Sequence, residues 1–225
     1  VVKLDGDGQM SPEYVDSLVP PILSGEAEYT KGNRFQDWSY LQTMPRGRKI
    51  GNLGLSFLIK LASGYWNVFD PTNGFTAVSV KTLRKLNFAR LEDRYLFESS
   101  MLVELYRFVV PIKQVPMPAI YRGETSSLSI RKSLVEFPLY LIPAMARRFV
   151  NRYIWQDFTA VSVFVIVGLL SILFGVTFGG YHWLRSLVTM QPATAGTVML
   201  SAVPVILGFQ LLLQAIVLDI ENVPK

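Results

Sequence analysis

Strand and helix patterns alternate over the first 130 residues, and two long uncharged runs follow. Together they predict an α/β domain with a two-helix transmembrane hairpin behind it. No residue is charged from Phe158 to Tyr181, or again from Gly196 to Leu218. Each run exceeds the roughly 20 apolar residues needed to cross a bilayer core about 30 Å thick. The formal net charge is +5, and basic residues crowd at Arg131, Lys132, Arg147, Arg148 and Arg152, just ahead of the first run. A basic cluster there suits anionic lipid headgroups.

Val1–Leu4 reads as a strand, and its apolar start, without Met or a signal peptide, looks like the interior of an α/β domain. An N-terminal portion is therefore expected to precede it. Pro12–Leu23 reads as a helix, with Ser11 as N-cap and Pro12 in its first position. Ile50–Trp66 spaces Ile50, Leu53, Phe57, Leu61 and Tyr65 along one helical face. Phe75–Val80 reads as a strand, Tyr95–Val109 as a helix and Ile112–Met117 as a strand. Ser133–Asp157 mixes apolar and basic residues, with Pro138 and Pro143 breaking the pattern, as expected of short interfacial helices. The chain thus divides into a domain over 1–130, a basic juxtamembrane segment over 131–157 and a hairpin with a short tail over 158–225.

Within the hairpin, Gly180–Ala195 is the expected linker. Arg147, Arg148 and Arg152 precede the first span and the loop offers only Arg185, so everything before Phe158 is placed in the cytoplasm. Tyr153, Trp155, Tyr181 and Trp183 mark the interfaces. Ser171, Gly175 and Gly179 form a small-residue face, and Gln210 and Gln214 stand one turn apart. Packing between the two helices is the reading for these positions, and a homo-oligomer contact is the sharper alternative. His182 reads as an interfacial residue. The chain has no cysteine, which excludes disulfides and thiolate metal sites. No basic, aromatic-laced soluble face speaks for nucleic acid.

The segment Asp5-Gly6-Asp7-Gly8-Gln9 carries the most chemistry. After a strand, Asp5, Asp7 and Gln9 project to one side if the chain stays extended. Two carboxylates and an amide oxygen are hard ligands, suited to Mg²⁺ or Mn²⁺. A calcium loop fails on spacing, because Met10 stands at its glycine position and Asp16 at its final glutamate.

Val1–Pro12 resembles the metal-binding strand end of family 2 glycosyltransferases, closest to the dolichyl- and undecaprenyl-phosphate sugar transferases. Asp5, Asp7, Gln9 and Pro12 match their pattern, with Gly6 in place of alanine. Lys31-Gly32-Asn33-Arg34-Phe35 resembles their Gly-Ser-Arg-Tyr element, with Asn33 replacing serine. Arg46-Gly47-Arg48-Lys49 resembles a second basic element. Asp70-Pro71-Thr72-Asn73-Gly74-Phe75 is similar to the Asp-x-x-Ser-Gly-Phe stretch, and Tyr121–Ser127 to the acceptor region. The order agrees over about 125 residues, and Ser127 stands where mannose-transferring members often carry lysine.

The resemblance implies the C-terminal half of a GT-A, Rossmann-like domain, with the nucleotide-binding half lying before Val1. It implies a nucleotide-sugar donor and a polyprenyl-phosphate acceptor whose phosphate oxygen attacks the anomeric carbon with inversion. Asp5, Asp7 and Gln9 would hold the metal, and Arg34 and Arg48 the acceptor phosphate. Asp70 would be the catalytic carboxylate, orienting the acceptor or sugar or assisting the attack; capping its own turn is the plainer alternative. Glu98 would touch sugar hydroxyls or be a solvated helix position, and Arg122 and Ser126 would line the acceptor channel. The alternatives are a non-catalytic membrane scaffold and a family 2 transferase with another acceptor. A processive polysaccharide synthase is disfavoured, because no Arg-Trp pair occurs.

Overall fold

In the computed structural model the described residues are 1–6, 10–35, 46–118 and 130–224, less the side chains of 46–50, 52 and 130–135. The chain divides into two compact units, residues 1–148 with 223–225, and residues 149–222.

The first unit is built on a mixed sheet of four strands: β1 (Val2–Lys3), β2 (Tyr29–Asn33), β3 (Thr76–Val78) and β4 (Ile112–Pro116). Their order is β1-β3-β2-β4. β3 runs antiparallel to both neighbours, and β2 runs parallel to β4. The carboxyl ends of β1, β2 and β4 therefore meet the start of β3 at one end of the sheet. β2 lies between partners and all five of its residues are buried, although Lys31, Gly32 and Asn33 do not read as strand formers.

Helix α1 (Arg46–Ser63) matches the expected amphipathic helix, starting four residues earlier. It ends at Gly64, whose φ of 81° and close approach to the Tyr106 ring both exclude a side chain. Helix α2 (Phe97–Tyr106) covers the same core. Tyr65 is buried there and donates its hydroxyl to the Val110 carbonyl at 2.7 Å. The helix expected over Pro12–Leu23 is instead three short turns, Pro12–Tyr14, Val15–Leu18 and Pro20–Leu23, and Ser11 makes no side-chain cap. Pro20 and Pro21 supply no N–H donors and separate the last turn from the one before it.

The expected short interfacial helices are also different. Residues from Ile130 to Val150 form one helix, α3, with Pro138 and Pro143 inside it. Phe137, Leu141, Ala144 and Arg148 are all buried, and their spacing of four, three and four residues puts them on one face. That burial outweighs the two broken backbone bonds. Arg148 therefore does not join the basic collar. It donates to the Leu61 carbonyl at 3.0 Å and lies 5.0 Å from the Tyr106 ring centre.

The second unit begins with a π-helical stretch, Asn151–Gln156, and continues as two helices, α4 (Ala160–Thr189) and α5 (Ala195–Glu221). By length and composition both are long and apolar enough to cross a membrane. α4 runs past the expected linker start at Gly180, and the turn is shorter, with Met190 in the left-handed region at φ 54°. The helices pack antiparallel at glycines: a Cβ on Gly208 would lie 2.6 Å from the Gly168 carbonyl oxygen, and one on Gly175 2.6 Å from that of Ser201. Gln210 and Gln214 are exposed, so they do not join the two helices. At the unit's base, Tyr153 donates to Asp219 at 2.6 Å.

Close backbone contact at Gly208 makes a direct prediction. Gly208→Leu separates the helices and lowers the melting temperature of the full chain in detergent. Gly180→Leu, with nothing within 4 Å of its added Cβ, leaves it unchanged.

Candidate functional site

The crossing order of the sheet brings four of the sequence-selected residues to one end. Asp5 follows β1, Arg34 follows β2, Asp70 lies in the loop before β3, and Glu98 is in the first turn of α2. The loop carrying Asp70 is pinned from the far edge strand. Gln114 of β4 accepts from the Phe69 N–H at 2.8 Å and donates to the Asn67 carbonyl at 2.6 Å.

Asp70 has no exposed surface. Arg34 donates to both of its oxygens, Nε to Oδ2 at 2.7 Å and an Nη to Oδ1 at 2.9 Å. The Arg34 backbone N–H adds a third bond at 3.1 Å. Thr72 completes the set, accepting from Arg34 at 3.2 Å and donating to Asp70 at 3.3 Å. The carboxylate thus faces the guanidinium and is shielded from solvent. A planar fork against a carboxylate fixes the orientation of the arginine.

Two lysines that the sequence reading passed over complete the cluster. Lys3 Nζ donates to Asp5 at 2.7 Å and to Glu98 at 2.9 Å, and stands 5.4 Å from the Phe97 ring centre. Burial works against its charge, but the bonds to Asp5 and Glu98 outweigh it and hold its pKa above the usual lysine value. Gly74 must lack a side chain here, because its added Cβ would collide with the Asp5 carboxylate and lie 3.0 Å from Lys3 Nζ.

Lys31 is fully buried and donates to the Asn73 carbonyl. Burial pushes its pKa down to about 8, against the pull of Glu98 and Asp70. Asn73 caps its own turn, its Oδ1 accepting from the Phe75 N–H at 2.9 Å. Its buried Nδ2 has no hydrogen-bond partner among the described residues. The only advance signal for Lys3 and Lys31 was a lysine inside an otherwise apolar or motif-bearing segment.

Asp7, Gln9, Arg122 and Ser126 lie outside the described residues. Arg48 lies in the first turn of α1, and its side chain is likewise outside them. Among the described residues, no group of three or more His, Cys, Asp or Glu side chains is placed to hold a metal. Asp5 offers a partly exposed hard carboxylate at the strand end, which suits a divalent ion if Asp7 and Gln9 complete the set.

No protein-family model matches the chain. Two curated proteins do resemble it. The chain is 34% identical over 120 residues to a UDP-N-acetylglucosamine–dolichyl-phosphate N-acetylglucosaminyltransferase of Methanococcus voltae, covering 53% of the chain and 47% of that protein. It is 32% identical over 121 residues to an uncharacterised protein of Methanocaldococcus jannaschii, covering 54% and 49%. The chain thus spans about half the length of the curated relatives it matches.

Removing one partner of a buried ion pair costs about 3 kcal/mol or more, because the other is left uncompensated. Asp70→Ala is therefore expected to destabilise the first unit by about that amount, and Asp70→Asn by less, since the amide oxygen still accepts. Denaturant unfolding of the full chain in detergent measures both. Lys31 gives a pH signature. Its folded pKa, about 8, lies below the unfolded value of 10.5, so between those values the unfolded chain binds more protons. Stability then rises with pH across that window, by up to about 3 kcal/mol. The penalty is fully present below pH 8. Lys31→Met lacks the titrating group, so the stability difference, wild type minus variant, climbs through that window.

Proposed function

We propose that this chain carries the catalytic residues and the membrane anchor of an inverting glycosyltransferase. It would transfer a sugar from a UDP- or GDP-sugar to a polyprenyl phosphate at the cytoplasmic membrane face. The supporting observation is the convergence of Asp5, Arg34, Asp70 and Glu98 from four separate segments on one sheet end. That end carries the carboxyl termini of three strands, where α/β sheets bind their ligands. The dolichyl-phosphate transferase among the relatives supplies the acceptor class, and the two apolar helices suit an acceptor that lives in a bilayer. The fold type proposed for the complete domain is GT-A.

In the reaction an ionised phosphate oxygen of the acceptor attacks the anomeric carbon, and the bond to the nucleoside diphosphate breaks. The leaving diphosphate takes the electron pair, so no strong general base is needed. Arg34 and Arg48 hold the acceptor phosphate. Asp70 acts through Arg34: shielded and bonded on both oxygens, it is a positioning residue that sets the guanidinium plane. Glu98 contacts the sugar, and Lys3 bridges Glu98 and Asp5, offsetting their mutual repulsion and fixing both carboxylates. Arg122 and Ser126 line the acceptor path. A Mg²⁺ or Mn²⁺ ion held by Asp5, Asp7 and Gln9 would stabilise the charge of the departing diphosphate.

The test uses the full-length protein with a panel of UDP- and GDP-sugars, a short polyprenyl phosphate, and chelator with metal add-back. A sugar-phospho-lipid product that vanishes with chelator and returns with Mn²⁺ or Mg²⁺ is expected. A charge-assisted phosphate contact contributes roughly 1.5–3 kcal/mol, so Arg48→Ala should weaken acceptor use about ten- to a hundredfold and leave donor affinity unchanged. Arg34→Lys, which keeps a cation beside Asp70, should lose part of that. Equal losses in donor and acceptor would sink the acceptor-phosphate assignment, and absence of any lipid-linked product would sink the reaction.

A further inference from the structure

Helix α5 carries two seams. On one side Ser201, Val205, Gly208, Leu212 and Ala215 face inward: the first four meet the glycines of α4, and Ala215 is buried with Val161. Their spacing is four, three, four, three, the repeat of a left-handed helix–helix seam. The same spacing recurs roughly opposite, at about 100° per residue, in Val203, Leu207, Gln210, Gln214 and Val217. Of these, Leu207, Val217 and Val203 are 56%, 47% and 40% exposed, and both glutamines are exposed as well.

The second seam is out of place if it faces only lipid. Gln210 lies about 3 Å along the axis from the helix midpoint, deep in the apolar layer. Neither amide bonds to a described residue. Hydrocarbon offers no partner for a primary amide, so polar side chains at that depth turn toward protein or water. Resting on the membrane reading of the two helices, we propose that this outer seam binds a second copy of the chain, α5 against α5. Copies inserted with the same orientation bring their α5 helices together parallel, so each residue meets its counterpart across a two-fold axis. A glutamine amide both donates and accepts, and therefore satisfies its own counterpart. Polar residues at such seams also set the register, and the flanking valines and leucine supply the packing. A different protein would need a matching seam of its own, whereas a second copy brings one by symmetry.

The chain has no cysteine, so single substitutions give one thiol per copy. The full chain is reconstituted in phosphatidylcholine vesicles with Leu207→Cys, Val217→Cys or Leu173→Cys, the last on the exposed side of α4. Mild oxidation is expected to give dimers from positions 207 and 217 and not from 173. Energy transfer between differently labelled copies should show self-association about three- to tenfold weaker in Gln210→Leu/Gln214→Leu. Equal cross-linking at all three positions, unchanged energy transfer in the double variant, or a monomer in the vesicles would each overturn the proposal. Flotation separates the two readings: protein that fails to float with the vesicles sinks the membrane reading as well, while floating monomer sinks the second-copy contact alone.

Discussion

A carboxylate with no exposed surface must be met by a cation or be protonated, and at the end of this sheet Asp70 is met by Arg34. Much of the site's order depends on that pairing. Arg34 is the first residue past β2, and Asp70 belongs to the loop leading into β3, so the pair fastens the two strands where their hydrogen-bond ladder ends. Three bonds from one residue to one carboxylate leave the guanidinium a single orientation. The loop is held from the opposite edge by Gln114, so neither strand end can move without breaking a buried or doubly bonded contact. Fixing charge geometry before a ligand arrives is what an anion-handling site requires.

The lysines extend the same logic. Asp5, Asp70 and Glu98 place three acids at one end of the sheet, and Arg34, Lys3 and Lys31 are the cations set among them. Lys3 does so at a partly solvated point, where hydrogen bonds outweigh desolvation and its charge is favoured. Lys31 does so with no solvent at all, and desolvation wins. The two residues share a side-chain type and a neighbourhood; burial works against the charge of both, and only Lys3 offsets it with direct bonds to two carboxylates. Asn73 is the joint between them: its carbonyl holds Lys31, and the next residue, Gly74, makes room for Asp5.

Asp5 is legible from its own segment, a carboxylate motif directly after a strand, whereas Arg34, Asp70 and Glu98 follow only from the resemblance; the structure brings all four to one end of the sheet. β2 was not legible, since Lys31, Gly32 and Asn33 look like loop and are buried only because strands flank them on both sides. Lys3 and Lys31 were missed for the same reason: a lysine reads as solvated until the tertiary structure removes the water. α3 defeats local rules differently. Pro138 and Pro143 argue for breaks, yet Phe137, Leu141, Ala144 and Arg148 bury a continuous face, and packing overrides propensity. Arg148 shows the limit of counting charges near an apolar run, because a basic collar cannot include a residue turned into the core. Asp7, Gln9, Arg122 and Ser126 lie outside the described residues.

On the proposed membrane reading, the two long apolar helices obey a different constraint from the sheet. In a soluble unit water satisfies whatever polar group the core leaves out, so exposure of a glutamine needs no account. A helix in hydrocarbon has no such reserve. The inward seam of α5 meets that demand with glycine and serine: backbones approach closely, and Ser201 donates to the Gly175 carbonyl at 3.0 Å. At the base, Asp219 is held by the Tyr153 hydroxyl, so the one acid within the packed part of the unit is also answered. Both polar positions that face α4 or the π-helical stretch are thus satisfied inside the unit. Gln210 and Gln214 are the described exception on α5, and they fall on a helical repeat with apolar neighbours on either side. This pair stands four residues apart on one face of α5, with Leu207 and Val217 exposed beside it, the face proposed above to pack against a second copy.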